Sequence, residues 1–158
     1  MAAGDPAGED AQPHSAAGAA WLAESACSAL VLRSAALVDA GDAVALAALF
    51  SEDGVLVRPG GALVTGRSAI EQTYRARPPG RTTVHVICGT LFDEVSEDHA
   101  LATSRVLVWT AQADSLPGPH GRPAEPLQRL GHFVDHFVRT AQGWRIGRRT
   151  AAFDLFRD

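Results

Sequence analysis

The sequence changes its apolar period near Thr82, and that change limits the fold more than any other feature. Before it, apolar residues recur at helical spacing; after it, they fall in β-branched and alternating runs. Four extended runs follow in series, at about 82–92, 100–111, 127–140 and 144–153. A turn region at 93–99, a Pro- and Gly-containing loop at about 114–126 and the tight turn Ala141-Gln142-Gly143 separate them. Long strands joined this way predict an antiparallel meander. Helices first and strands later predict an α+β domain with segregated layers. A strongly curved antiparallel sheet wrapped over N-terminal helices has a concave face, which is a natural small-molecule pocket.

The helical part divides at its glycines and prolines. A first helix is expected over 19–40, with Trp21, Leu22, Ala26, Ala29, Leu30, Leu37 and Val38 at core spacing. A second is expected over 42–51, with Val44, Leu46, Leu49 and Phe50 inward. Glu52-Asp53-Gly54 reads as a turn and 55–58 as a short strand, broken by Pro59-Gly60-Gly61. A third helix, 66–77, turns Ala69, Ile70 and Tyr74 inward and ends at Pro78-Pro79-Gly80. The joint between the first two helices is Asp39-Ala40-Gly41-Asp42. Gly41 can close the first helix in a left-handed conformation, and Asp42 suits the N-cap of the second. Asp39 continues the helical face of Leu32, Ala35 and Ala36, where a carboxylate is costly without a partner or a task. Asp42 therefore reads as structural and Asp39 as a candidate for chemistry.

With 158 residues, there is room for one cored domain, read here as 19–158, behind a disordered tail over 1–18 that contains His14. Apolar residues make up 46% and charged residues 20%, as in a soluble globular chain. The net charge is −4 with no basic block, which argues against nucleic acid or an anionic membrane as partner. Cys27 and Cys88 suit a reducing cytosol, so a cytoplasmic chain is expected. Cys88 reads as a buried thiol, and no Cys/His spacing suggests a metal. The apolar runs read as too short and interrupted to span a bilayer.

His85 shares a strand face with Thr83 and Ile87, and an imidazole inside an apolar strand needs a partner for a ring nitrogen. By element order Asp39 is the nearest candidate. A carboxylate fixing one nitrogen leaves the other free to take or give a proton near neutral pH. On the third long strand, His132, Val134 and His136 share one face and Phe133, Asp135 and Phe137 the other; either set could face the pocket. Trp109, Phe133, Phe137 and Trp144 read as core or pocket wall, and Arg145, Arg148 and Arg149 as exposed or paired across strands. Both faces of Arg105-Val106-Leu107-Val108-Trp109 are apolar apart from Arg105, which predicts a homo-oligomer, a dimer through the sheet.

The ordered set of a helix, DAGD, LAALFSEDGVLV, GRSAIEQTY, a strand with a central His and GHFVDHFVRTAQGWRIGRR resembles the nuclear transport factor 2-like superfamily, in its SnoaL-like branch. The resemblance covers about 20–154 and implies a cone-shaped α+β barrel with a pocket at its open end. Three positions are similar to the scytalone dehydratases: Asp39 in the D-x-x-D step, His85 in Val84-His85-Val86-Ile87-Cys88-Gly89, and His132 in Gly131-His132. The tyrosines that hold the catalytic water in those enzymes have no clear match; the one tyrosine is Tyr74. The resemblance implies a cofactor-independent lyase, isomerase or polyketide cyclase acting by general acid–base catalysis on a small hydrophobic cyclic ketone or polyketide. Asp39, His85 and His132 would be catalytic, with Phe50, Tyr74, Trp109, Phe133 and Asp135 around the substrate. The alternative it leaves is a non-catalytic ligand carrier or a structural subunit like the small subunit of a ring-hydroxylating dioxygenase.

Overall fold

The computed structural model describes residues 16–158. The expected tail therefore lies outside the described residues up to position 15, while Ala16, Ala17 and Gly18 form the first turn of a helix. The elements run α1 (Ala16–Ala40), α2 (Ala43–Ala47), β1 (Phe50–Val57), β2 (Leu63–Thr65), α3 (Arg67–Arg75), β3 (Arg81–Val95), β4 (His99–Gln112), β5 (Gln128–Thr140) and β6 (Gly143–Arg157). The four long strands pair antiparallel in series, and β1 adds to β6 in parallel, giving one sheet in the order β2-β1-β6-β5-β4-β3. This is the α+β architecture expected, with the helices on the concave face. The sheet stays open, with β2 and β3 as its two edges.

The core lies between the helices and that face. Phe50, Phe137, Leu46, Leu56, Ile70, Ile146, Val31 and Val106 are fully buried. β4 alternates as its sequence predicts: Ala102, Ser104, Val106 and Val108 inward, Arg105 and Trp109 outward.

α1 corrects the expected core list. Trp21, Leu22 and Ala29 are exposed, and the buried stripe is Ala23, Cys27, Val31, Ser34 and Ala35. The helix is apolar nearly all round, so periodicity alone cannot choose its inner face. Small residues let its backbone lie close to β3. By length and composition α1 is also apolar enough to cross a membrane, contrary to the sequence expectation. In this fold one stripe of it, Ala23, Cys27, Val31, Ser34 and Ala35, is buried.

α2 is shorter than expected, and its Val44 is exposed. The chain leaves the helix at Ala48 because sheet pairing competes with it. The Ile146 amide donates to Leu49 O at 2.9 Å, Phe50 pairs with Ile146, and the Arg67 guanidinium donates to Phe50 O. Tertiary bonds thus draw 50–54 into β1, which starts five residues earlier than the sequence suggests. Gly41, at φ 73°, and Asp42, accepting from the Ala45 amide at 2.9 Å, do what the sequence predicts.

Bulges set which residues face inward. The β5–β6 register shifts between the pairs Phe137↔Ile146 and His136↔Arg148, leaving Gly147 unpaired. One extra residue inverts the alternation, so after Trp144 and Ile146 the next inward side chain is Arg149. A second shift leaves Asp154 unpaired opposite Leu130 and Gly131. Gly131 must be glycine there: a Cβ would lie 2.1 Å from Ala152 O. On β3 a shift leaves Cys88 unpaired and exposed, rather than buried as expected.

Candidate active site

Asp39 ends α1, where the carbonyl end of the helix dipole disfavours a carboxylate. Its oxygens are therefore expected to need strong donors, and β3 supplies three. The His85 Nδ1 donates to Oδ1 at 2.6 Å, the Thr83 hydroxyl to the same oxygen at 3.0 Å, and the His85 backbone N–H to Oδ2 at 2.8 Å. β3 is an edge strand, so Asp39 also satisfies an amide that no neighbouring strand can reach. Burial pushes the Asp39 carboxyl up, but the bonds and charge of His85 and the Thr83 hydroxyl outweigh it. The group sits below its ordinary value of 3.8. An ionised carboxylate only accepts, so Nδ1 carries a hydrogen, and in the neutral imidazole the lone pair is on Nε2. Among the described residues nothing bonds Nε2.

His85 lines a cavity of about 270 Å³. Its floor and walls are largely apolar: Val38, Leu56, Val106, Val108, Phe133 and Ala151. Asp39 lines a second, more polar depression together with Thr83 and Arg81, which adjoins the first through Val38, Tyr74 and Arg77. His85 thus presents one ring edge to the apolar cavity while its carboxylate partner remains behind it.

The cavity floor carries a second ion pair, and its arginine is the functional residue that strand alternation failed to point inward. Asp135 accepts from Arg149 Nε and Nη2, both at 2.7 Å, and Arg149 Nη1 donates to Ser34 Oγ at 2.7 Å. Ser34 in turn donates to Val31 O at 2.7 Å. The guanidinium lies 4.3 Å from the centre of the Phe133 ring. Burial works against the Arg149 charge, but the Asp135 charge and bonds more than restore it. Three of its five N–H groups are used, so two remain for a ligand. Tyr74 completes this side. Burial raises its hydroxyl above the ordinary 10, against the opposing charges of Arg149, Arg77 and Arg58, so it stays a neutral donor. The signal that could have found Arg149 is Gly147, the residue the bulge leaves unpaired.

Of the expected site residues, His85, Tyr74 and Phe133 line the cavity, and Asp39 stands behind His85 as its partner. Asp135 lies beneath it as the partner of Arg149. Three do not join it. Phe50 is core, at 1% exposure. Trp109 lies on the convex face with Val84 and Val86. His132 is outside as well, because Phe133, Asp135 and Phe137 take the inward positions. Its Nδ1 donates to Asp154 at 2.8 Å, and Arg105 joins the same carboxylate at 2.5 Å. Among the described residues no group of three or more His, Cys, Asp or Glu could hold a metal ion.

The SnoaL-like domain family matches residues 19–150. Among solved structures, the fold is similar to a candidate scytalone dehydratase from Novosphingobium aromaticivorans, at 23% identity and TM-score 0.76 over 90% of this chain and 91% of that one. It is also similar to a hexachlorocyclohexane dehydrochlorinase, LinA type 2, at 14% identity and TM-score 0.73, over 87% and 89% of the two chains. ActVI-ORFA from Streptomyces coelicolor matches at 24% identity and TM-score 0.64, over 83% and 96%. No curated protein sequence matches.

Proposed function

The chain belongs to the SnoaL-like domain family, and from that premise we propose that it is a cofactor-independent lyase, isomerase or cyclase for a small hydrophobic cyclic ketone or polyketide. The observation that carries this reading is His85, held by Asp39 through Nδ1 at 2.6 Å on the wall of an apolar cavity, with Nε2 left unbonded among the described residues. His85 Nε2 takes a proton from the carbon next to the substrate carbonyl. Asp39 fixes the ring tautomer and balances the imidazolium that results. Negative charge then develops on the carbonyl oxygen. The Tyr74 hydroxyl and the two spare Arg149 N–H groups are the donors that stabilise it. From the enolate, loss of a β-substituent completes an elimination, return of the proton to another carbon an isomerisation, and attack on a second carbonyl a cyclisation. Fold similarity to proteins named as a candidate dehydratase and a dehydrochlorinase supports the elimination branch.

The reading is tested by deuterium uptake into 1-tetralone in D2O, followed by proton NMR. The intact chain is expected to accelerate exchange next to the carbonyl, and folded His85→Ala to lose about 100-fold or more of that acceleration. Equal rates for the two proteins would refute it.

A further inference from the structure

The cavity walls carry more positive charge than the proton transfer needs. Arg58, Arg77 and Arg149 all line the cavity, and no Asp or Glu does. Asp135 neutralises Arg149 with both of its oxygens. Arg58 and Arg77 have no such partner. Arg77 Nη1 reaches only the Val38 carbonyl, at 3.3 Å, and among the described residues the Arg58 guanidinium has no hydrogen bond or ion pair. The neighbouring Arg75, two residues before Arg77, does find a carboxylate: it pairs with Glu71 at 2.8 Å. Two uncompensated cations therefore face one apolar cavity in a chain whose net charge is −4.

Their backbones are also fixed. The Arg58 amide donates to Ala62 O at 2.8 Å, and the Gly61 amide donates back to Arg58 O at 2.9 Å, closing the turn after β1. The Arg77 amide donates to Tyr74 O at 3.3 Å, and Pro78-Pro79 follows. The charges of both arginines reach Tyr74 inside the cavity. Arg58 is exposed and Arg77 half-buried, and two guanidinium groups lining one largely apolar cavity suit a planar carboxylate, which can accept bidentate bonds.

We propose that Arg58 and Arg77 form an acid-binding subsite, so that the molecule taken up is an apolar carbonyl compound bearing a carboxylate. The acid lodges between the two arginines and the reacting carbon turns toward His85. This rests on the reading that the cavity is where the reaction occurs, and it adds the class of substrate.

The test compares 2-naphthoate with methyl 2-naphthoate, matched in ring and size, by calorimetric titration. The intact chain is expected to bind the acid about tenfold or more tightly than the ester. Arg58→Gln and Arg77→Gln each lower that preference, their combination abolishes it, and Arg33→Gln, on the exposed side of α1, keeps it. Arg58→Lys and Arg77→Lys keep the charge and retain part of the preference. Equal affinity for acid and ester in the intact chain, acid binding weaker than about 1 mM, or a full preference in the folded double Gln variant would each overturn the proposal. The outcome separates from that of the proton-transfer reading: loss of the acid-over-ester preference in the Arg58→Gln, Arg77→Gln combination bears on the subsite, whereas loss of deuterium exchange in His85→Ala bears on the proton transfer.

Discussion

Replacing Asp135 by Asn should cost this protein more stability than any exposed ion pair could. Asp135 is 0% exposed and accepts two bonds of 2.7 Å from Arg149, whose side chain is 6% exposed. Asn keeps the shape but removes the charge and turns an amide N–H toward the guanidinium, leaving a buried cation uncompensated. Breaking a buried pair this way costs about 3–5 kcal/mol. At about 3 °C per kcal/mol for a domain of this size, a loss of about 4 kcal/mol lowers Tm by about 12 °C. The loss spreads, because Arg149 also holds Ser34 and through it ties α1 to the sheet. Replacing the pair together, Asp135→Leu with Arg149→Met, removes both charges and should recover most of the loss. Thermal unfolding by circular dichroism reads all three proteins. A Tm for Asp135→Asn within about 2 °C of the parent would refute the claim that Asp135 offsets a buried cation.

Asp39→Asn should cost about 1–3 kcal/mol at neutral pH. Because Asp39 is held below its ordinary 3.8, its contribution is complete above that value and is lost as pH falls through the lower folded-state value. The stability gap between parent and variant should therefore close below about pH 4 in an acid titration of Tm; a gap that widens there contradicts the assignment. Cys88 is exposed, whereas burial and then the Asp135 charge push the Cys27 thiol up to about 12. Iodoacetamide at neutral pH should label Cys88 alone in the folded protein, as mass spectrometry of peptides would read; Cys27 labelling at a similar rate would contradict its burial. We also propose a homodimer through the convex face, where Val84, Val86 and Trp109 are 51%, 45% and 40% exposed. Sedimentation should give a dimer at micromolar concentration and a monomer for Trp109→Glu; a monomeric parent rules it out.

The sequence made the layering legible because strand alternation and helix punctuation are local signals. Gly41 and Asp42 could be placed for the same reason, and so could the pairing of Asp39 with His85, which needs only element order and strand parity. What stayed hidden depends on non-local pairing. Phe50 leaves the helix only because β6 captures it. Arg149 turns inward only because Gly147 drops out of register, and without that bulge Arg148 would have been the inward residue. His132 and Phe133 are one residue apart on opposite faces. The choice between them is made by the sheet's register, which no motif in β5 states. α1 misled in another way: helical periodicity cannot rank faces when Trp21 and Leu22 are exposed and the small residues Ala23 and Cys27 are buried.

The account stands most directly on whether Asp39 and His85 act as one unit at the cavity. The decisive measurement is the 1-tetralone exchange rate for the parent, Asp39→Asn, His85→Ala and the double variant, each first shown to be folded. His85→Ala should lose about 100- to 10,000-fold, and Asp39→Asn should lose much of that factor in the parent but almost nothing in the His85→Ala background. Full exchange activity in folded His85→Ala, or the same loss from Asp39→Asn in both backgrounds, would contradict it.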